Sequence, residues 1–246
     1  MIAVAKPGWK GQKLVEFLIN SQHDALHFPT FDIASIPIKT HQLATETISD
    51  VIFTSQHAVD FFLPNISLAI QNQLKQYRLW CIGASTAARL AEYGYQAKFP
   101  EQANSEGFLA MLNIASAKKR HFLLVKGQGG RDIIAQQLSR LNQVTKIECY
   151  QRVSRSFQML NEQLKQCGTW PWLLIATSPS ALECALPLFK SYPKWQQQCA
   201  ITVTNPRMHQ WAKNNGFSRI YPLQLPLNDH ALLQQVQRIK DDIDDE

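Results

Sequence analysis

The sequence predicts an α/β protein: two doubly wound, flavodoxin- or Rossmann-like parallel-sheet domains joined by a two-stranded linker, with the active site in the interdomain cleft. Three observations predict it. First, short apolar runs rich in β-branched and aromatic residues alternate with amphipathic helical stretches along the whole chain, the pattern of parallel sheets with right-handed crossovers. Second, residues 51–53 run into Thr54-Ser55 and a helical stretch bearing Ala58, Val59, Phe61 and Phe62, and residues 173–176 run into Thr177-Ser178 and another such helix. Third, aligning Gly94 with Gly216 sets Pro100 on Pro222, and aligning Leu18 with Leu138 sets Lys6 on Lys126, so one unit is written twice. In sheets of this kind ligands bind beyond the carboxyl ends of the strands, where all these loops lie.

The elements follow in order. Residues 2–5 form a strand ending at Lys6-Pro7-Gly8, and a helix from about Gly11 carries Leu14, Val15, Leu18 and Ile19 on one face. His27-Phe28-Pro29 and Phe31 read as a second strand, and 33–38 as an extended connector that Pro37 keeps out of a sheet interior. Residues 42–49 read as helical. After the 51–63 unit, residues 79–82 form a strand ending in Gly83-Ala84-Ser85-Thr86, with a helix to Tyr93 capped by Gly94. Residues 97–100 read as a strand, and Asn104-Ser105-Glu106-Gly107 opens a helix with Phe108, Leu109 and Leu112. Residues 122–125 end at Lys126-Gly127-Gln128-Gly129-Gly130-Arg131 before a helix with Ile134, Leu138 and Leu141; 144–153 is extended and contains Tyr150. The second copy gives strand 173–176, a helix to about Phe189 with Pro179 at its first position, strand 200–203, Thr204-Asn205-Pro206-Arg207, and a helix to Asn215 capped by Gly216. A last helix, 229–239, carries Leu232, Leu233, Val236 and Ile239.

The second copy lacks an opening β-α-β unit, and residues 1–33 form a spare one. We therefore expect a discontinuous domain of 1–33 plus 155–246, a continuous domain of 40–147, and linker strands at 34–39 and 148–154 that act as a hinge beside a ligand cleft.

Composition narrows the function. A hydrophobic share of 45% with 18% charged residues is ordinary for a globular protein, and no apolar run approaches the roughly 20 residues needed to span a bilayer. The amino terminus goes straight into a strand, unlike a signal peptide, so a cytoplasmic protein is expected. Cys81, Cys149, Cys167, Cys184 and Cys199 show no CxxC or Cys/His spacing and read as reduced core thiols. The seven histidines show no metal spacing, and His57 and His209 read as surface residues. The net charge of +6 is spread without a basic tract, which suits an anionic small substrate better than nucleic acid. The acidic run 241–246 reads as a frayed tail.

Five motifs, in order, carry a resemblance: Phe53-Thr54-Ser55-x-x-Ala58-Val59; Ile82-Gly83-x-x-Thr86-Ala87-x-x-Leu90-x-x-x-Gly94; Lys126-Gly127-x-x-Gly130-Arg131; Cys149-Tyr150-Gln151-Arg152; and Ala176-Thr177-Ser178-Pro179-Ser180-Ala181. Together they resemble the uroporphyrinogen-III synthase family over nearly the whole chain. The resemblance implies cyclisation of the linear tetrapyrrole hydroxymethylbilane to uroporphyrinogen III, a lyase reaction of haem biosynthesis that inverts ring D and loses water, without cofactor or metal. It implies a catalytic role for Tyr150, whose phenol can protonate the departing hydroxyl. It also implies substrate binding by Lys6, Thr54, Ser55, Gly83, Ser85, Thr86, Lys126, Gly127, Arg131, Thr177, Ser178 and Arg207. The partner is then hydroxymethylbilane alone, with neither nucleic acid nor membrane, and a monomer is expected. A substrate with eight carboxylates calls for many N–H donors and a modest positive field.

The chain departs from the family in two places. Lys6-Pro7 stands where the family carries Arg-Pro, which keeps charge and loses the bidentate fork. Asn205-Pro206-Arg207-Met208 replaces Gly-x-x-Thr in the second copy; the hydroxyl is lost, and the N–H groups of 207–208 are left as carboxylate donors. On the residues alone a second reading of Thr54, Ser55, Thr177 and Ser178 is as helix caps only, worth about 1 kcal/mol each. Two other readings stay open: a noncatalytic, hinged two-domain binder of an anionic small molecule, and a nucleotide-sugar transferase, although no dinucleotide fingerprint is present.

Overall fold

A computed structural model describes residues 1–39, 43, 48–112, 119–130, 132–223 and 229–245. The helix expected over 42–49 lies largely outside these residues, and Arg131 lies outside them. In chain order the elements are β1 (Ile2–Val4), α1 (Trp9–Asn20), β2 (Ala25–His27), β3 (Phe31–Ser35), β4 (Asp50–Phe53), α2 (Gln56–Phe62), α3 (Leu68–Leu74), β5 (Arg78–Cys81), α4 (Ala84–Ala91), α5 (Ser105–Leu112) and β6 (His121–Gly127). There follow α6 (Ile133–Ser139), β7 (Gln143–Ser154), α7 (Phe157–Gln166), β8 (Leu173–Ile175), α8 (Pro179–Ser191), α9 (Pro193–Gln198), β9 (Ala200–Val203), α10 (Pro206–Asn214), β10 (Ile220–Pro222) and α11 (Asp229–Asp244).

The chain divides into two compact units: Met1–Ile33 with Val153–Glu246, and Ala34–Arg152. The first holds a five-stranded sheet in the order β10-β9-β8-β1-β2, in which β1 lies parallel between β8 (Ile2↔Leu173) and β2 (Ile2↔Ala25). Both faces of this sheet are covered. Phe28, Leu174, Leu182, Phe189 and Ile201 are buried in one cluster, where Phe189 stacks on Trp195 at 4.1 Å. Ile2, Val4, Leu18, Ile175, Leu232 and Val236 are buried in another. Two-sided burial explains why these strands read as continuous apolar runs rather than alternating ones.

The second sheet runs β3-β7-β6-β4-β5. β4 is parallel to β5 and to β6, with all four of its residues buried, and all seven residues of β6 are buried. β3 is an edge strand, where Pro37 just beyond it costs no ladder bond.

Several readings need correction. Residues 97–100 are no strand but one bridge, Trp80↔Lys98. Helices α3, α7 and α9 were not foreseen. α7 opens on Ser156, whose hydroxyl accepts from Met159 N–H at 3.2 Å, and buries Leu160 and Leu164. That i,i+4 pair behind a serine cap is a helix signal.

Candidate active site

In the second unit, a strand that stops at a hydroxyl residue places a helix amino terminus at the sheet's carboxyl edge. β4 ends at Thr54, whose N–H and Oγ1 both donate to Val125 O, at 3.1 and 3.2 Å. The Thr54 hydroxyl thus ties this loop to β6. Ser55 is the N-cap of α2, its Oγ accepting from Ala58 N–H at 3.1 Å. The same Oγ lies 2.9 Å from the hydroxyl of Tyr150.

Tyr150 arrives there through an irregularity in β7. Lys126 pairs with Glu148 and Gly127 with Tyr150, so Cys149 has no counterpart on β6. Strict alternation would set Cys149 and Tyr150 at opposite degrees of cover; both are buried, with Tyr150 3% exposed. Gly127 makes the arrangement fit, since a Cβ there would stand 2.5 Å from Tyr150 Cζ and 2.9 Å from its hydroxyl. The phenol ring also meets His57 edge-on at 5.7 Å and Phe61 at 5.9 Å. His57 is therefore half-buried against the tyrosine rather than a surface residue. Its position in the first turn of α2, four residues before Phe61, was the signal available for it.

A cavity of about 200 Å³ is lined by Thr54, Ser55, Lys126, Gly127, Tyr150 and Arg152, among others. Lys126 is buried and its Nζ forms an ion pair with Asp132. Lys146 Nζ binds the other oxygen of that carboxylate at 2.8 Å. The Lys126 hydrogen bond, followed by the one from Lys146, pulls the Asp132 carboxyl down to about 2. Asp132 was missed in the sequence because it reads as an N-cap of α6, yet it makes no cap hydrogen bond.

Gly83, Ser85 and Thr86 lie together at the start of α4. Gly83 is buried, and a Cβ there would come within 2.7 Å of the Ala103 methyl. Ser85 is exposed, while Thr86 is 5% exposed and faces the core side.

In the first unit, Lys6 lies two residues beyond the end of β1 and lines a groove of about 570 Å³ together with Thr177. Its carbonyl accepts from the His27 ring at 2.9 Å. Ser178 occupies the N-cap of α8 with no side-chain bond to the helix, and both Thr177 and Ser178 are half-buried. Arg207 is exposed on the first turn of α10. Asn205 Oδ1 accepts from Met208 N–H at 2.9 Å, and Met208 is core. This corrects the reading of the 207–208 N–H groups as a pair of open carboxylate donors, because one of them is already bonded.

Among the described residues no group of three His, Cys, Asp or Glu side chains is placed to hold a metal, and no helix is long and apolar enough to cross a membrane. Cys81, Cys149 and Cys199 are buried thiols, the first two pushed up to about 12 by desolvation, which makes all three inert as nucleophiles.

Comparison with known proteins shows what the chain is similar to. A family model described as uroporphyrinogen-III synthase HemD matches residues 12–225. A uroporphyrinogen-III synthase of Salmonella typhimurium is 27% identical, over 96% of this chain and 99% of its own length. That of Escherichia coli is 29% identical over the same shares. Among solved structures, a mutant uroporphyrinogen III synthase of Thermus thermophilus superposes with a TM-score of 0.67 at 13% identity, covering 98% of both chains. The synthetase of Helicobacter pylori gives 0.65 at 13%, covering 96% of this chain and 98% of its own. These structures share the fold; the family match, which spans most of the sequence, carries more, and the chain belongs to the uroporphyrinogen-III synthase family.

Proposed function

We propose that this protein closes hydroxymethylbilane to uroporphyrinogen III, with inversion of ring D and loss of water. The observation that carries the reading is the family match across residues 12–225, with relatives aligned over 96% of the chain.

Tyr150 is the proposed catalytic residue. Ser55 Oγ already accepts from Ala58 N–H, so its own proton is available to Tyr150, which leaves the phenolic proton for a substrate oxygen. Electrons from the terminal pyrrole nitrogen expel the hydroxyl, the C–O bond breaks, and the phenolic proton leaves with it as water. The substituted α-carbon of ring D attacks the new cationic methylene to give a spiro intermediate. The bond from that carbon to its original methylene then breaks, and that methylene re-bonds to the other α-carbon of ring D. The proton this carbon loses as the ring regains aromaticity returns to the tyrosinate. Atoms and charge then balance at one water lost. A cavity of about 200 Å³ is too small for a whole tetrapyrrole and suits the reacting end of the chain. Lys126 adds positive potential there, moderated by Asp132. Gly83, Ser85 and Gly127 in one unit, and Lys6, Thr177, Ser178 and Arg207 in the other, are the proposed carboxylate-binding positions, with Arg131 beside Gly130. Thr54, whose N–H and hydroxyl both donate to Val125 O, and the buried Thr86 shape these loops instead. The reading needs no cofactor, and a monomer acting in the cytoplasm fits it.

The test is a coupled assay in which hydroxymethylbilane synthase supplies substrate. Uncatalysed closure gives the type I isomer, so the protein should shift the product to type III. Product that stays type I at high protein concentration would end the proposal.

A further inference from the structure

The groove beside Lys6 holds more charge than the family motif accounts for. It is lined by Lys6, Trp9, Lys10, Lys13, Glu16 and Thr177, among others. Trp9 is 53% exposed, with Lys10 Nζ 5.4 Å and Lys13 Nζ 4.9 Å from its ring centre. The two lysines are i and i+3 on α1, where like charges repel. They also sit in the opening turns of the helix, at the positive end of its dipole, and the first turn contains no acidic residue. Burial first, and the Lys10 ammonium second, hold Lys6 below the usual lysine range. Glu16, the acidic residue among the described residues lining the groove, lies three residues beyond Lys13 and is exposed. Three lysines line one groove with a half-exposed indole, an arrangement suited to an anion.

We propose that this groove is a subsite for one carboxylate-bearing pyrrole ring of the substrate, with the ring lying on Trp9 and its acidic side chains between Lys10, Lys13 and Lys6. The half-exposed indole supplies a flat apolar face, and the flanking ammonium groups fix the spacing of the acids around it. Thr177, at the end of β8, brings a hydroxyl to the same rim. The assignment rests on the function proposed above and adds Trp9, Lys10 and Lys13 as specificity-determining residues.

The test titrates uroporphyrin III, the stable oxidised octacarboxylate, into the full chain and into three variants: Lys10→Gln/Lys13→Gln, Trp9→Leu, and Lys190→Gln as an exposed control on α8. The double variant should bind about five- to twentyfold more weakly, and its KM in the coupled assay should rise similarly with kcat within twofold. Trp9→Leu should bind about threefold more weakly, and Lys190→Gln should not change. Unchanged affinity in the double variant, equal weakening in the Lys190 control, or tighter binding of a single-stranded oligonucleotide than of uroporphyrin would each overturn the subsite. A wild-type protein that yields only type I product but shows this affinity pattern would refute the proposed reaction and leave the ring-and-carboxylate site standing.

Discussion

Gly127→Ala should slow the enzyme through Tyr150 without removing a polar group. The added Cβ would lie 2.5 Å from Tyr150 Cζ, 2.6 Å from Cε2 and 2.9 Å from the hydroxyl. Ordinary carbon contacts begin near ~3.5 Å, so the ring has to retreat by about 1 Å. That would stretch the 2.9 Å bond to Ser55 to roughly 3.9 Å, beyond hydrogen-bond range. Overpacking of this kind costs about 1–3 kcal/mol, which the folded state should survive. A misplacement of about 1 Å at a reacting group costs on the order of 10² in rate. Tyr150→Phe removes the hydroxyl and should cost a similar ~10² in kcat while product remains type III. The double variant then discriminates. If both changes act through the same proton, Gly127→Ala/Tyr150→Phe should turn over like Tyr150→Phe alone. The assay is kcat for all four proteins at saturating hydroxymethylbilane, with melting temperatures measured alongside. Fully multiplicative losses, or wild-type kcat in Tyr150→Phe, would refute the acid role and leave the tyrosine as packing.

Three other outcomes are expected. Thr202→Val should destabilise by about 1–3 kcal/mol in denaturant melts, because Thr202 Oγ1 accepts from Ala176 N–H at 2.8 Å and donates to Ala176 O at 3.0 Å in a buried setting. Gly11→Ala should unseat α1 and cost several kcal/mol, since its Cβ would fall 1.9 Å from the Lys6 carbonyl oxygen. Asp50→Asn should cost about 3 kcal/mol at neutral pH, because the buried carboxylate accepts from Arg120 Nε at 3.0 Å, Trp80 Nε1 at 2.7 Å and Ser49 Oγ at 2.6 Å. Burial raises the Asp50 carboxyl, but the Arg120, Ser49 and Trp80 hydrogen bonds outweigh it and hold it below the ordinary 3.8. A depressed folded value means stability that is present above the unfolded value and lost as pH falls through the folded one, so the gap between wild type and Asp50→Asn should narrow below about pH 4.

The parts of the fold legible in the sequence are those where one local signal settles the conformation. β4 into α2, and β8 into α8, are written as apolar runs, hydroxyl pairs and amphipathic helices; Pro179 opens α8, and Gly94 and Gly216 adopt positive φ where helices end. What was hidden depends on partners distant in sequence. The irregularity that buries both Cys149 and Tyr150 exists only relative to β6 and leaves no mark in the 148–154 string. Asp132 is an N-cap by position, and Lys126 and Lys146 claim it from two strands. Asn205, by contrast, is legible in sequence as an N-cap, the role that takes Met208 N–H out of the carboxylate donors. The 97–100 run has β-type composition around Phe99, but Pro100 and a single bridge at Lys98 keep it from becoming a strand.

β4 shows how such a sheet separates stability from chemistry. Four residues, or roughly 13 Å at about 3.3 Å per residue, lie between its two ends. At the amino end, Asp50 is buried with its charge answered by Arg78 and Arg120, and with Trp80 and Ser49 taking up further lone pairs. A fully compensated carboxylate of this kind fixes register between β4, β5 and the approach to β6, and it offers nothing to a ligand. At the carboxyl end Thr54 is spent on Val125, whereas the Ser55 and Tyr150 hydroxyls share one hydrogen bond beside a cavity and keep a proton to give. Polar groups saturated by protein partners at one end hold the strand in place. Those left partly unsatisfied at the other end can act on a substrate, and the apolar strand between them keeps the two electrostatic environments apart.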